Sequence, residues 1–388
     1  MLTRLITRNF KSLRNLDISL GPLNVLVGPN MGGKSNVLDA LRFLYECWFP
    51  QAGTYGPVNA LVRRGGIDEV LWKGGPDRLL SVGVEFKDPA QPDRSFDYSI
   101  ELVGGPAGYV NIQAERLVLL VGERQYPLIT RDSEGRWLTN TGGQRLVSVQ
   151  ADRSAMELAP PNWDGFPLGS FAQNWRQHHL VPSLMRQVNP VTAGGVLEAQ
   201  GQNLSAWLMW LQTRAPESFN RIAEVARDVF PEIRRLLTWP TQQGTVYLAS
   251  EEQALARPTP LLQMSDGELA FIAFISLVCA PGDLGGTLFL VEEPENHLHP
   301  RLIETLFGLL RQVQQEVSDR NVPPSQIVLT THSPFVVDQM NLDEVLWVGK
   351  THGETSVVRP SDRTHLRKLV EDKALGLGDL MLTGALGE

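Results

Sequence analysis

A strand with the look of a buried one, running straight into a glycine-rich turn, constrains this chain more than any other feature. Val25-Leu26-Val27 leads into Gly28-Pro29-Asn30-Met31-Gly32-Gly33-Lys34-Ser35. From Ser35 to Phe49 the spacing predicts a helix with Val37, Leu38, Leu41 and Leu44 on one face. A turn in this setting aims successive backbone N–H groups at phosphate oxygens, and the helix that follows adds its positive end. The spacing GxxxxGK[ST] then assigns the side chains. Lys34 is placed to reach the outer phosphates of a nucleotide, and Ser35 to ligate Mg²⁺. Gly28, Gly32 and Gly33 let the backbone approach closely, while Pro29, Asn30, Met31 and Asn36 complete the contact surface.

A second segment supplies what such a loop lacks. Four apolar residues, Leu288 to Val291, end in the adjacent acids Glu292 and Glu293. A buried strand ending in two carboxylates puts one toward a metal's coordination shell and the next where it can polarise a water. Glu292 is therefore the candidate metal residue and Glu293 the candidate general base. A further apolar strand ends in Thr331-His332-Ser333, which sets His332 at a strand tip within reach of a terminal phosphate. Ligands of parallel sheets collect at such carboxyl ends. The run His297-Leu298-His299 near Glu295 also admits a zinc reading. The alternative is that the turn packs against a partner while His299 opens the helix at Pro300.

Between these segments, Ser265-Asp266-Gly267-Glu268 precedes LAFIAFISLV. This is a capping box opening an apolar helix. The serine hydroxyl and the Gly267 N–H also form an anion site, whose natural ligand is a terminal phosphate held by another copy of the chain.

The rest of the chain reads as two short strands over residues 3–27, an antiparallel meander from Leu79 to Val149, helices over SAWLMWLQT and PESFNRIAEVARDVF, and helix–strand alternation in the last third. Alternation at both ends around an inserted middle predicts one sheet built from the two termini. The expected divisions are 1–155, an ATPase lobe with the meander; 156–255, a helical insertion or lid; and 256–388, a second ATPase lobe. No run of 18 apolar residues predicts a membrane span, and the polar start MLTRLITRNF predicts a cytoplasmic protein. Two cysteines, Cys47 and Cys279, exclude a cysteine-ligated structural zinc. The net charge of −8 gives nucleic acid no overall attraction, so DNA contact would need a local basic surface.

With these residues in place, the chain resembles the ATPases related to ABC-type cassettes, above all RecF, SMC and the OLD-like ATPases. It looks like those grouped with AbiEii-type toxin–antitoxin or phage-defence loci. NFKSLRNLDISLGPLNVLVGPN, GPNMGGKSN, GQNL, MSDGELAFIA, VEEPENHLHPRL, TTHSPFVVDQM and the tail GLGDLMLTGALGE carry the likeness. The resemblance implies an α/β P-loop NTPase head of the ABC-ATPase type, with an antiparallel β lobe and a helical insertion. It implies Mg²⁺ and ATP as cofactors and a head-to-tail homodimer, or a higher assembly, closing on two ATP molecules. Lys34, Glu293 and His332 would be catalytic, Ser35 and Glu292 would hold the metal, and Ser265 and Gly267 would cap the partner's ATP. It also places Arg63-Arg64-Gly65-Gly66 where cassettes carry their glutamine loop. Met31 and Asp266 depart from the common pattern, the latter arguing against a transport subunit. Only 56 residues follow His332, too few for the nuclease domain of OLD-type proteins. The expected activity is ATP hydrolysis that senses for or regulates a separate effector, a nuclease or toxin. The alternatives are a RecF-like ATPase that binds DNA and a non-hydrolysing, ATP-gated scaffold.

Overall fold

The computed structural model describes residues 1–50, 53–105, 110–280, 286–319, 325–371 and 376–387. Two compact units emerge: Met1–Trp175 with Leu342–Glu371 and Gly384–Glu388, and Arg176–Asn341 with Asp372–Thr383.

In the first unit, the alternation read in the early sequence becomes an antiparallel sheet. Its strand order is Leu13–Ser19, Leu2–Phe10, Leu79–Lys87, Arg94–Gly104, Val110–Val121, Arg124–Pro127. Along Arg94–Gly104 buried and half-buried residues alternate over nearly the whole strand, as a sheet with one covered face requires. The covered side meets the helix Lys34–Trp48, whose Trp48 packs edge-on against Tyr98 with ring centroids 4.8 Å apart. A smaller sheet, Arg145–Val149, Gly135–Thr139 and Ile129–Asp132, completes the expected meander.

This lobe is locked by a charge buried out of water. Glu115 accepts from Tyr98 Oη at 2.9 Å, Ser154 Oγ at 2.6 Å, Ala155 N at 2.8 Å and Arg136 Nη1 at 2.7 Å. Arg136 spends its other terminal nitrogen on the Gln150 and Arg153 carbonyls. Both side chains are essentially inaccessible, at 5% and 0%. Such a pair is tolerated because Glu115 is met by four donors and Arg136 by three acceptors.

The same unit holds Leu23–Val27, buried at every residue. Val345–Thr351 runs parallel to it, with Val345 opposite Val25 and Trp347 opposite Val27, and Glu354–Val358 returns antiparallel as a hairpin.

In the second unit, Leu288–Glu292 and Gln326–Thr331 pair in parallel, from Leu288 opposite Gln326 to Glu292 opposite Thr330. Every residue of the two strands is buried except Glu292, which explains their continuous apolar runs. The helix Asp266–Cys279 is apolar on all sides and buried from Leu269 to Leu277, as an all-round apolar helix must be. Its one inward hydroxyl, Ser276, is satisfied by Trp207 Nε1 at 3.0 Å and the Ala273 carbonyl at 2.6 Å. The helices Leu204–Arg214 and Pro216–Val229 lie where the sequence predicts them. A hairpin, Ile233–Pro240 with Thr245–Glu252, appears in a stretch the sequence had led us to expect as helical. Among the described residues no helix is long and apolar enough to cross a membrane.

Arg136→Met should leave Glu115 as an uncompensated buried charge and cost about 3–5 kcal/mol. Urea unfolding should show this as a large drop in midpoint, whereas replacing both partners by Met and Leu should recover much of the loss.

Candidate functional site

The glycine-rich loop lies where a strand stops and a helix begins. Gly28 has φ 152°, and a Cβ there would sit 2.0 Å from the Val348 carbonyl oxygen, so only glycine fits beside the neighbouring strand. Gly33, with φ 108°, precedes the helix start at Lys34, and a Cβ on it would fall 2.1 Å from Thr355 Oγ1. The Gly33 carbonyl accepts from the Asn36 and Val37 N–H groups at 3.0 and 3.3 Å, and the positive end of the helix favours an external anion. Lys34 is buried, its Nζ donating to the Gly28 and Pro29 carbonyls at 2.8 and 3.0 Å. Ser35 is exposed at the helix entrance. Met31 stands 86% exposed with φ 65°, so its bulk leaves the loop's concave side clear. The Asn36 amide does not face outward; it donates to Ser12 Oγ at 2.7 Å.

Behind the loop, its helix is clamped by charge. Arg64 reaches Asp39 at 2.6 Å and Glu46 at 2.5 Å, two turns apart on one face, and Lys11 lies 2.7 Å from Asp39. Burial pushes the Asp39 carboxyl upward, but Arg64 and Lys11 more than cancel this and hold it below the usual carboxylate range. Arg63 turns to Glu46 as well. The pair expected in the place of a glutamine loop is thus spent on bracing a helix.

In the second unit, Glu292 closes its strand half-buried and Glu293 follows in the left-handed region at φ 46°. The backbone turns at Glu293, and the two carboxylates meet different partners. Glu292 Oε1 accepts from Gln177 Nε2 at 3.4 Å. Gln177 was missed in the sequence because it lies in a short Trp- and His-rich stretch without periodicity. Its neighbour His178 is buried against Phe289, and burial pulls its pKa down to about 4. Glu293 accepts from Asn296 Nδ2 at 2.9 Å and stands 3.5 Å from His332 Nε2, so the structure brings the expected base and the expected histidine together. A third carboxylate organises the pair: Glu295 Oε1 accepts the Thr331 hydroxyl at 2.7 Å and the His332 N–H at 2.8 Å, tying one strand tip to the other's turn.

The histidine pair does not gather a metal. His299 Nδ1 accepts from the Arg301 N–H at 3.3 Å at the start of Pro300–Asp319, and His297 Nδ1 turns to Asp266 at 3.4 Å. Among the described residues there is no group of three or more His, Cys, Asp or Glu that could hold a metal ion.

The capping box forms as expected: Ser265 Oγ accepts from Glu268 N at 3.2 Å, and the Glu268 carboxylate from Ser265 N at 2.7 Å. Gly267 sits close to the acid turn, where a Cβ would stand 3.0 Å from the His297 carbonyl, a tight contact. Arg186, a residue the sequence did not single out, pairs with Asp266 at 2.7 Å and donates to the Met264 carbonyl at 2.6 Å.

The family "AAA domain, putative AbiEii toxin, Type IV TA system" matches residues 173–338. The OLD nuclease of Thermus scotoductus is 24% identical over 375 residues, covering 94% of this chain. The chain spans 66% of the length of that relative. Among solved structures, an Smc head bound to the C-terminal winged-helix domain of ScpA superposes with TM-score 0.56 at 15% identity, covering 92% of this chain and 97% of its own. An Smc head with an extended coiled coil, bound to the C-terminal domain of ScpA derived from Pyrococcus furiosus, gives TM-score 0.56 at 13% identity. It covers 96% of this chain and 99% of its own. The fold is that of an ABC-ATPase head.

Glu295→Ala should strand the Thr331 hydroxyl and the His332 N–H, at a cost of about 1–3 kcal/mol. Glu295→Gln, which keeps an acceptor oxygen, should lose markedly less in the same unfolding titration.

Proposed function

We propose that this chain, which is similar to the RecF, SMC and OLD-like ATPases, binds Mg-ATP at Gly28–Asn36 and hydrolyses it with Glu293 as general base. The observation that carries the reading is the pairing of Glu293 with His332 at the tips of adjacent parallel strands. A carboxylate so placed takes a proton from a water, and an imidazole beside it meets the terminal phosphate.

The residues suit their ligands. The glycines of the loop let it pack directly on Val348 and Thr355, where a Cβ would collide. Ser35 and Glu292 offer the hard oxygen donors that Mg²⁺ takes. When bound, the metal neutralises charge on the outer phosphates. Lys34 Nζ donates to the Gly28 and Pro29 carbonyls, and phosphate oxygens would take the place of these acceptors. Gln177 donates to the Glu292 carboxylate, which would hold the metal together with Ser35.

Ser265 and Gly267 are the proposed cap for ATP held by a second copy, in a head-to-tail dimer that gates an effector, a nuclease or toxin in anti-phage or toxin–antitoxin defence. The net charge of −8 favours a protein effector over DNA as the partner.

Lys34→Ala should weaken ATP binding by at least about tenfold, measured by titration calorimetry. Glu293→Gln should slow hydrolysis by about a hundredfold or more while leaving binding intact, and equal turnover in the two proteins would remove Glu293 from its role. Ser265→Arg should leave ATP binding to the monomer unchanged and abolish the ATP-dependent rise in mass seen by light scattering. A mass that rises as in wild type would refute the capping role.

A further inference from the structure

The loop's hydrogen bonds outside its own backbone lead to a residue more than three hundred positions away. Thr355, in the strand Glu354–Val358, is 3% exposed. Its hydroxyl donates to the Gly32 carbonyl at 2.8 Å and lies 2.7 Å from Ser12 Oγ. Its N–H donates to the Ser12 carbonyl at 2.8 Å. Ser12 Oγ in turn accepts from Asn36 Nδ2 at 2.7 Å.

Donor counting sets the direction of this network. A carbonyl only accepts, so the single proton of Thr355 is committed to Gly32. The contact between the two hydroxyls must then use the proton of Ser12, which leaves Ser12 to accept from the Asn36 amide. Protons therefore run one way: Asn36 to Ser12, Ser12 to Thr355, Thr355 to the loop carbonyl. The same count fixes the Asn36 amide, because its oxygen would find no donor on Ser12.

The consequence falls on one peptide plane. In a trans peptide the carbonyl of Gly32 and the N–H of Gly33 point in opposite directions, and no cis bond occurs among the described residues. Thr355 holds the carbonyl on one side and so presents the Gly33 N–H on the other. Two glycines in succession lack the Cβ atoms that would otherwise oppose a flip of this plane.

We infer that Thr355 is a positioning residue of the phosphate loop, its hydroxyl holding the Gly32–Gly33 peptide with the Gly33 N–H turned to the phosphates of the nucleotide. This rests on the reading of Gly28–Ser35 as an ATP loop. A loop whose plane turns over part of the time binds with an affinity reduced by the fraction in the wrong state.

The test uses the full chain and three variants, titrated with Mg-ATP and with tripolyphosphate, a ligand made of phosphates alone. Thr355→Val keeps the shape and removes the donor, and should bind both ligands about tenfold more weakly, with a urea midpoint near that of wild type. Thr355→Ser restores the hydroxyl and should come within about twofold of wild type. Ser12→Ala, which spares the bond to Gly32, should fall between them. Wild-type affinity in Thr355→Val overturns the inference, and so does a Thr355→Ser variant as weak as Thr355→Val. If Thr355→Val fails to fold, the order of wild type, Thr355→Ser and Ser12→Ala decides it. A wild-type protein that binds tripolyphosphate but not ATP sinks the ATP reading alone. One that binds ATP and tolerates Thr355→Val sinks this inference alone.

Discussion

A backbone oxygen occupies the space where any side chain at position 28 would go. The strand Val345–Thr351 runs in register beside Leu23–Val27, residue against residue, and its next carbonyl, that of Val348, arrives at Gly28. The hairpin then turns and delivers Thr355 to Gly32, at a separation of 323 residues along the chain. The phosphate loop is thus local in sequence and remote in construction. Its shape cannot be set until the C-terminal hairpin has docked, a long closure whose entropy must be met before the short contacts are gained.

Charge is handled in two opposite ways. Where it holds the fold, it is buried and saturated: Glu115 with four donors, or Arg64 spread over Asp39 and Glu46. Where chemistry is expected, the acids are half-exposed and more loosely tied. Glu292 has a long bond from Gln177, and Glu293 keeps an exposed flank beside His332. An acid with all its lone pairs filled cannot exchange protons with water or take a metal. The backbone follows the same division. Among the described non-glycine residues, left-handed conformations occur at Met31, Glu293 and His297 inside the motifs, at Asn9 near the end of the strand Leu2–Phe10, and at Lys11 and His352 in turns leading to Ser12 and Thr355. Strain of about 1–3 kcal/mol at each is the sort of cost that surrounding structure must over-determine.

What could be read in the sequence was what repeats or what has a fixed spacing. Periods of two and 3.6 located the strands of the first lobe and the helices Lys34–Trp48, Leu204–Arg214 and Pro216–Val229. The loop, the acid pair, the switch histidine and the capping box were legible because each is a short pattern whose chemistry is complete within a few residues. The hairpin Ile233–Glu252 was not, because its first strand buries Ile233 and Leu236, a spacing of three that imitates a helix turn. Thr355, Gln177, Arg186 and Glu295 were missed for another reason. Each acts through partners far away in sequence, and a single polar residue bonded to distant groups leaves no periodic trace. Arg64, placed by resemblance where cassettes carry their glutamine loop, has its guanidinium over Phe43 and between two acids of one helix.

The signature turn shows why such distant partners matter. Asp266 is the first residue of its helix, where a carboxylate favours the helix's positive end but opposes an incoming anion. At about 4 Å two unit charges interact by about 1 kcal/mol in water and several times that in a partly dry setting, enough to cancel what the free N–H groups offer. Arg186 stands 2.7 Å from that carboxylate and also binds the Met264 carbonyl just before the turn, so the aspartate is met by an opposite charge held in place at two points. His297 adds a polar contact at 3.4 Å from the side of the acid turn. With Asp266 offset in this way, the dipole end at Ser265 and Gly267 keeps its positive character. The residue that departs from the transporter pattern is therefore made compatible with an anion site by an arginine that no motif contains.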